Sequence, residues 1–222
     1  MASLDAATPF AAPALDVAAI RAALLEEGLD GWLLYDFRGT NPIAVDVTGV
    51  GRQGGHLATR RWFYLIRAGG EPRKLVHAIE PGSLAHLPGT TDRYAGREQL
   101  EQGLGRLLDG VRRVAMEYSP LCAIPYIARV DGGTIELVRT FGVDVASSGD
   151  LVQRFSAVWG DAEIATHREA SDKLYRVKDR AFEAIASRTR DRTPTTEYDI
   201  QQLMTAWFAE EGLITDAPPN VS

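Results

Sequence analysis

Cysteine is almost absent from this chain, and its scarcity excludes a fold held together by internal disulfides. Cys122 is the only cysteine among 222 residues, whereas a disulfide framework needs an even set of paired cysteines. This residue stands in the apolar run 121–124, which predicts a small buried hydrophobe and not a nucleophile. Stability must therefore come from apolar burial, and hydrophobic residues make up 45% of the chain.

Long apolar runs and an excess of positive charge are also missing. No stretch approaches the roughly 20 apolar residues that a helix needs to cross a bilayer. At the N-terminus no basic residue precedes the apolar stretch, as one would in a signal peptide. We therefore expect a cytoplasmic protein without a membrane partner. The net charge of −6 disfavours binding to the phosphate backbone of nucleic acids.

Familiar signatures of cofactor and metal sites are incomplete here. The segment 49–54 carries the letters G-x-G-x-x-G, but a dinucleotide site needs a strand before the glycines and a helix after them. Pro42 interrupts the segment that precedes them, so we interpret 49–54 as a loop. His77, Glu80 and His86 could suggest a metal, yet they match no H-E-x-x-H or Cys/His spacing. We interpret these histidines as structural.

Hydrophobic periodicity divides the chain into an alternating part and a purely helical part. Short apolar runs bounded by turn residues predict strands, and apolar residues at helical spacing predict helices. The predicted strands are 31–35, 62–66, 74–79, 92–95, 113–117 and 143–145. The predicted helices are 17–27, 81–87, 98–108, 125–130, 134–141 and 149–155. Strands that alternate with helices predict an α/β domain in which helices cover a mixed sheet.

Three segments follow from this pattern. We predict a flexible tail over residues 1–14, an α/β domain over 15–158, and a helical segment over 159–222. The helical segment contains two amphipathic helices, and 213–214 could begin a strand. Exposing large apolar side chains costs on the order of 1.5–3 kcal/mol each. We therefore expect these helices to pack on the first domain, to dimerise, or to meet a partner that lies outside the sequence.

Two motifs in the helical segment resemble a known family. Residues 163–170 are similar to the Glu-Ile-x-x-x-Arg-x-Ala opening of the pita-bread metallopeptidases, which include Xaa-Pro aminopeptidases, prolidases and creatinases. Residues 196–200 resemble the Thr-Glu-x-x-Ile segment that begins their second helix. Upstream stretches resemble the N-terminal domain of the same family, in chain order: 30–34, 41–49, 61–79 and 148–152. The resemblance runs in order from about Leu15 to Ile214.

This resemblance implies a fold and a mechanism. The fold is a creatinase/prolidase-like N-terminal domain followed by the first two helices of an α+β catalytic domain. In the family two divalent metals (manganese, cobalt or zinc) bind two Asp, one His and two Glu, and they activate a water that attacks the bond before proline. Those ligands would follow Ser222, so we expect a truncated catalytic domain and assign no catalytic residue and no metal ligand in this chain.

One region of the α/β domain keeps a substrate-binding hypothesis. In the family, loops of the N-terminal domain help to wall the active site, sometimes across a dimer. The glycine-rich segment 52–61 carries His56, Arg60 and Arg61, whose side chains could pair with a substrate carboxylate. The alternative is that these are solvent-exposed loop charges.

The functional prediction is the N-terminal portion of a Xaa-Pro aminopeptidase- or dipeptidase-like metallopeptidase. Its own role would be scaffolding, dimerisation and walling of the active site, as a homodimer, and it would be inactive alone. Proline-containing peptides would be substrates only of a full-length parent. Two alternatives remain at this point. One is a binding or dimerisation module without catalytic activity, and the other is an enzyme of another class that uses the segment 49–54 or the histidines.

Overall fold

The computed structural model describes residues 15–51 and 58–222. The chain divides into two compact units, Met1–Val158 and Trp159–Ser222. The predicted tail 1–14 and the segment 52–57 lie outside the described residues.

Within residues 15–51 and 58–158, the first unit contains a six-stranded mixed sheet in the order β4-β3-β2-β1-β5-β6. The strands are β1 (Gly31–Asp36), β2 (Trp62–Arg67), β3 (Arg73–His77), β4 (Thr90–Tyr94), β5 (Arg113–Met116) and β6 (Asp144–Ser147). β2 pairs antiparallel with both β1 and β3. The pairs β3–β4, β1–β5 and β5–β6 are parallel. Five strands therefore share one direction and β2 alone opposes them, which confirms the predicted mixed sheet.

Helices cover both faces of the sheet. The described part of this unit contains five α-helices: α1 (Val17–Glu26), α2 (Pro42–Thr48), α3 (Arg97–Leu107), α4 (Gly132–Arg139) and α5 (Gly149–Phe155). Successive strand residues point to opposite faces, so Trp32 and Leu34 join one core, while Leu33 and Tyr35 join the other. Because both faces are covered, all six residues of β1 are buried, as expected for a central strand of a sheet sandwiched between helices.

Several elements differ from the sequence-based expectation. The predicted helix 81–87 is a run of turns, in which Leu87 N–H donates to the carbonyl of Leu84. Lys74 Nζ donates to the carbonyls of Leu84 and Leu87 at 3.4 and 2.8 Å. These carbonyls are backbone acceptors that a continuing helix would need for its own N–H groups. No helix was predicted over residues 42–48, where α2 begins at Pro42 after the cap of Asn41.

The segment after β5 also departs from the prediction. Residues 125–130 were expected to be helical, but the N–H groups of Arg129 and Val130 both donate to the carbonyl of Glu117, at 2.9 and 3.0 Å. These bonds return the segment to the end of β5 and prevent a continuous helix.

Cys122 is exposed, so the prediction of a buried hydrophobe is wrong. It follows Leu121, whose side chain is fully exposed, and both residues have a φ of 53°.

The second unit is a helical hairpin. It consists of α6 (Asp161–Arg190) and α7 (Glu197–Glu210), which confirms the two predicted helices. No strand forms at 213–214, where a strand was expected. Thr196 caps the start of α7 in a capping box with Asp199, and its hydroxyl accepts a hydrogen bond from Asp199 N–H at 3.2 Å. Among the helices of residues 15–51 and 58–222, none has both the length and the apolar character needed to cross a membrane.

Buried side chains and ion pairs hold the hairpin together. Val177 and Ala181 of α6 are buried, as are Ile200 and Phe208 of α7. The contacts between the two helices include Arg180, which lies 4.5 Å from the ring centroid of Trp207 and 2.9 Å from Glu210. A second ion pair joins Arg176 to Glu211 at 2.6 Å.

Candidate functional site

The strand directions bring one set of chain segments to the same edge of the sheet. β1, β3 and β4 end at this edge, and β2 begins there because it runs in the opposite direction, with Asp36 opposite Trp62. In α/β sheets the crevice outside the carboxyl ends of parallel strands is the common place for a ligand. A surface cleft lies at this edge in the present fold.

The cleft has a volume of about 590 Å³. Its lining comes from strand ends, from the segment before β2 and from the first turns of α3 and α4. The lining residues are Tyr35, Phe37, Arg60, Arg61, His77, Tyr94, Ala95, Gly96, Arg97, Asp131 and Thr134. Its size is within the range of small-molecule sites, roughly 300–1,000 Å³.

Positive charge predominates in the cleft although the chain as a whole is negative. Three guanidinium groups line it, from Arg60, Arg61 and Arg97, against the single carboxylate of Asp131. That carboxylate is already engaged, because it accepts hydrogen bonds from the N–H and the hydroxyl of Thr134 at 2.9 and 2.7 Å. Burial raises the pKa of Asp131, but these bonds outweigh burial and hold it below its usual value. The arrangement favours an anionic ligand.

Arg60 and Arg97 are exposed and Arg61 is partly buried. Arg97 also pairs with Glu101 on the next turn of α3, whereas Arg61 makes electrostatic contact with both tyrosines of the cleft.

Two tyrosines form part of the wall behind the arginines. Burial raises the pKa of Tyr35 and of Tyr94, while the charge of Arg61 lowers both. The net direction is upward, so both hydroxyls are neutral near pH 7. The hydroxyl of Tyr94 donates to the carbonyl of Arg61 at 2.7 Å, and its ring meets the edge of His77 at a centroid distance of 4.9 Å. These contacts tie the segment before β2 to the end of β4.

The predicted site residues are placed as follows. Arg60 and Arg61 both line the cleft, and their role in substrate binding stays a prediction. His56 lies outside the described residues. Sequence reasoning missed Tyr35, Phe37 and the remaining lining residues. Their shared signal, a position at the end of a strand or the start of a helix, becomes useful only when the strand directions are known.

His77, His86 and Glu80 are each hydrogen-bonded to other groups of the protein. His77 Nε2 lies 3.1 Å from the carbonyl of Ala95, and its Nδ1 accepts a hydrogen bond from Ile79 N–H at 3.1 Å. His86 Nε2 lies 2.7 Å from the carbonyl of Thr48. Among the described residues, no group of three or more His, Cys, Asp or Glu side chains is arranged to hold a metal ion. The described part of the chain therefore does not fit the two-metal site that the resemblance implies.

The glycine motif at 49–54 does not occupy the context that a dinucleotide site requires. Gly49 ends α2 with a φ of 68°, so a helix and not a strand precedes the glycines. A left-handed glycine at this position is the common way to end a helix. The later residues of the motif fall in the segment 52–57, outside the described residues.

A second polar cluster is sealed inside the unit. The carboxylate of Glu117 is fully buried and accepts hydrogen bonds from Trp32 Nε1 at 2.7 Å, Asn41 Nδ2 at 2.7 Å and Ser148 Oγ at 3.1 Å. Burial raises its pKa, and the three donors oppose that shift without reversing it. Because solvent does not reach this group, we assign it a structural role that joins β1, β5 and the starts of α2 and α5.

Comparison with solved structures identifies the fold. Dipeptidase PepE from Mycobacterium ulcerans superposes with a TM-score of 0.55 and 17% identity, over 88% of this chain and 48% of that chain. A proline dipeptidase from Streptococcus pneumoniae superposes with a TM-score of 0.50 and 18% identity, over 65% of this chain and 98% of that chain. At these identities the likeness establishes the fold and confirms the fold prediction.

A further similar structure is the creatinase/prolidase N-terminal domain of an X-Pro dipeptidase from Streptococcus pyogenes, with a TM-score of 0.45 and 13% identity, over 62% of this chain and 95% of that chain. The present chain spans about half the length of the Mycobacterium ulcerans dipeptidase. No family model matches the sequence, and no curated protein matches it.

Proposed function

We propose that this chain is the N-terminal portion of a Xaa-Pro aminopeptidase- or dipeptidase-like metallopeptidase, which acts in the cytoplasm. In this proposal the first unit is the N-terminal domain and the second is the start of the catalytic domain. The observation that carries the proposal is the arginine-lined cleft at the carboxyl edge of the sheet, in a fold shared with a dipeptidase. The role proposed for this cleft is to form part of the active-site wall and to bind the carboxylate of a proline-containing peptide.

The chemistry of the cleft supports this role. Guanidinium groups recognise carboxylates through two parallel hydrogen bonds, and Arg61 stands partly buried beside the neutral hydroxyls of Tyr35 and Tyr94. Partial desolvation strengthens such a pair relative to one in open water. The exposed ring of Phe37 adds an apolar surface at the same edge. Two divalent metals are expected only in a full-length parent, where they would activate water.

A binding titration tests the cleft directly. N-acetylproline carries the free carboxylate, and N-acetylprolinamide is the same molecule without the charge. We expect the acid to shift the NMR signals of cleft residues and the amide to bind about tenfold more weakly or not at all. Arg61→Ala should weaken binding of the acid by about tenfold. Arg112→Ala is the control, because this exposed arginine precedes β5 at the opposite edge of the sheet.

Equal binding of acid and amide, or no binding of either, would remove the carboxylate assignment. The same chain, supplied with Mn²⁺ and a Xaa-Pro dipeptide, is expected to show no hydrolysis.

A second candidate, a dimerisation module, is favoured by the surface of α6. Four large apolar side chains on this helix are exposed, at 48% for Leu174, 61% for Tyr175, 65% for Phe182 and 37% for Ile185. Clusters of exposed apolar residues mark interaction surfaces. We propose that this stripe supports a homodimer. Light scattering after size exclusion should then give twice the mass of the chain, and Phe182→Ser should give a monomer. A monomeric wild-type chain would exclude this role.

A further inference from the structure

Glu80 accepts an unusually large set of hydrogen bonds for a carboxylate that lies just beyond the end of a strand. Its two oxygens accept hydrogen bonds from Thr59 N–H at 3.1 and 3.0 Å, and one of them accepts from Arg60 N–H at 3.1 Å. The hydroxyl of Thr59 donates to the same carboxylate. All of these donors belong to the short segment that leads into β2, about twenty residues earlier in the chain.

The sheet itself cannot satisfy these N–H groups. The pairing of β2 with β1 begins at Trp62, and its pairing with β3 begins at Phe63, so Thr59 and Arg60 fall beyond the ladder. A carboxylate has about four acceptor positions and can replace several ladder bonds at once. His77 fixes the turn that carries Glu80. Its Nδ1 accepts a hydrogen bond from Ile79 N–H, and its carbonyl accepts one from Glu80 N–H at 3.0 Å.

From these contacts we infer that Glu80 is a positioning residue that holds Thr59 and Arg60 in place and thereby sets the location of Arg60 and Arg61 in the cleft. Two other restraints act on the same segment. Ala58 is buried in the core, and Tyr94 holds the carbonyl of Arg61. Glu80 supplies the restraint at the exposed positions between these two. The contribution of the arginines to ligand binding rests on the proposed function, whereas the anchoring does not.

Limited trypsin digestion measures the anchoring without any ligand. The segment must unfold locally before trypsin can cut after Arg60 or Arg61. Mass spectrometry identifies the position of each cut. Glu80→Gln keeps the shape of the side chain but replaces one acceptor with a donor that faces the N–H groups. We expect cleavage after Arg60 and Arg61 to become about tenfold faster. Glu80→Asp, which keeps the charge, should restore part of the protection.

Glu136→Gln is the matched control, because Glu136 is an exposed glutamate on α4 of the same unit. Its digestion should equal that of the wild type. A second internal control is cleavage after Arg113 at the start of β5, which should not change in Glu80→Gln. Faster cleavage at both places would mean general destabilisation and would overturn the local anchor, as would unchanged cleavage after Arg60 and Arg61.

Titration with N-acetylproline then links the anchor to the cleft. If the wild type binds this acid, Glu80→Gln should weaken binding at least fivefold, in the direction of Arg61→Ala, and unchanged affinity would refute the link between Glu80 and the arginines. If the wild type does not bind it, the carboxylate proposal fails, while the digestion still decides whether Glu80 anchors the segment.

Discussion

The side-chain amide of Asn41 donates a hydrogen bond of 2.7 Å to the buried carboxylate of Glu117, across 76 positions of the chain. The same amide nitrogen donates to the carbonyl of Tyr35 at 2.8 Å, and its oxygen accepts from Ala44 N–H to begin α2. A single side chain therefore joins the end of β1, the start of α2 and the buried acid that follows β5. Tyr35 and Phe37, which flank this junction, line the cleft.

Substitution of Asn41 by Asp should separate its two roles. Aspartate caps helices as well as asparagine does, but it cannot donate to Glu117 and it places a second carboxylate beside a fully buried one. We expect Asn41→Asp to lower the free energy of unfolding by about 2–4 kcal/mol at pH 7. The loss should be smaller near pH 4, where one of the two carboxyl groups is protonated.

Urea unfolding followed by tryptophan fluorescence measures this loss. Asp16→Asn is the matched control, since Asp16 caps α1 at an exposed position by accepting from Ala19 N–H, and it should change stability by only a few tenths of a kcal/mol. A loss for Asn41→Asp that does not depend on pH would show that the two carboxyl groups do not interact.

The raised pKa of Glu117 predicts a specific pH dependence. Burial raises the pKa of Glu117 in the folded state above the ordinary value of 4.5. At pH values between 4.5 and the folded-state pKa, the folded state therefore binds more protons than the unfolded state. The contribution of Glu117 to stability is therefore present below about pH 4.5 and is lost as the pH rises through the folded pKa. The stability of the wild type relative to Glu117→Gln should fall across this window.

Urea unfolding of both proteins at a series of pH values between 4 and 8 provides the comparison. Differences between the two proteins matter here, because other carboxylates contribute equally to both curves. A wild-type advantage that rises with pH would instead mean that the three donors dominate over burial and that the carboxylate is held ionised.

Glu80 should behave with the opposite sign. Burial raises its pKa, but the bonds from Thr59 and Arg60 outweigh burial and hold the pKa below 4.5. The anchoring it provides is therefore present above the unfolded value and is lost as the pH falls through the folded pKa. Hydrogen-exchange protection of the Thr59 and Arg60 amides should decrease only at acid pH. In Glu80→Gln it should be low at every pH, and pH-independent protection in the wild type would contradict the assignment.

Gly89 occupies a position that tolerates no other residue. Its φ is +110°, and a Cβ atom built there would lie 2.2 Å from the carbonyl oxygen of Pro72. Both strain and overlap oppose a side chain where the chain enters β4, so Gly89→Ala should destabilise the protein by at least about 2 kcal/mol. Gly82→Ala is the control in the same connection, because a Cβ there meets nothing within 4 Å. Thermal unfolding should give a clear loss for the first variant and almost none for the second.

Sequence reasoning succeeded where the structural cause is local. The predicted strands 31–35 and 62–66 and the predicted helices 17–27 and 98–108 match β1, β2, α1 and α3 to within one residue at each end, because their apolar spacing and flanking residues are local features. It failed at 81–87 and 125–130, where distant groups take the backbone acceptors or donors. Lys74 acts on the first segment and the carbonyl of Glu117 on the second, and neither contact can be read from helical spacing.

The sequence by itself determined the alternation of strands and helices and the two amphipathic helices after residue 159, and it offered His56, Arg60 and Arg61 as candidates for binding a carboxylate. These features depend on periodicity and on residue chemistry. Only the tertiary structure decided that β2 opposes its neighbours and that Arg60 and Arg61 meet His77 and Tyr94 in one cleft. The physical reason is that strand order and direction depend on packing between segments far apart in the chain.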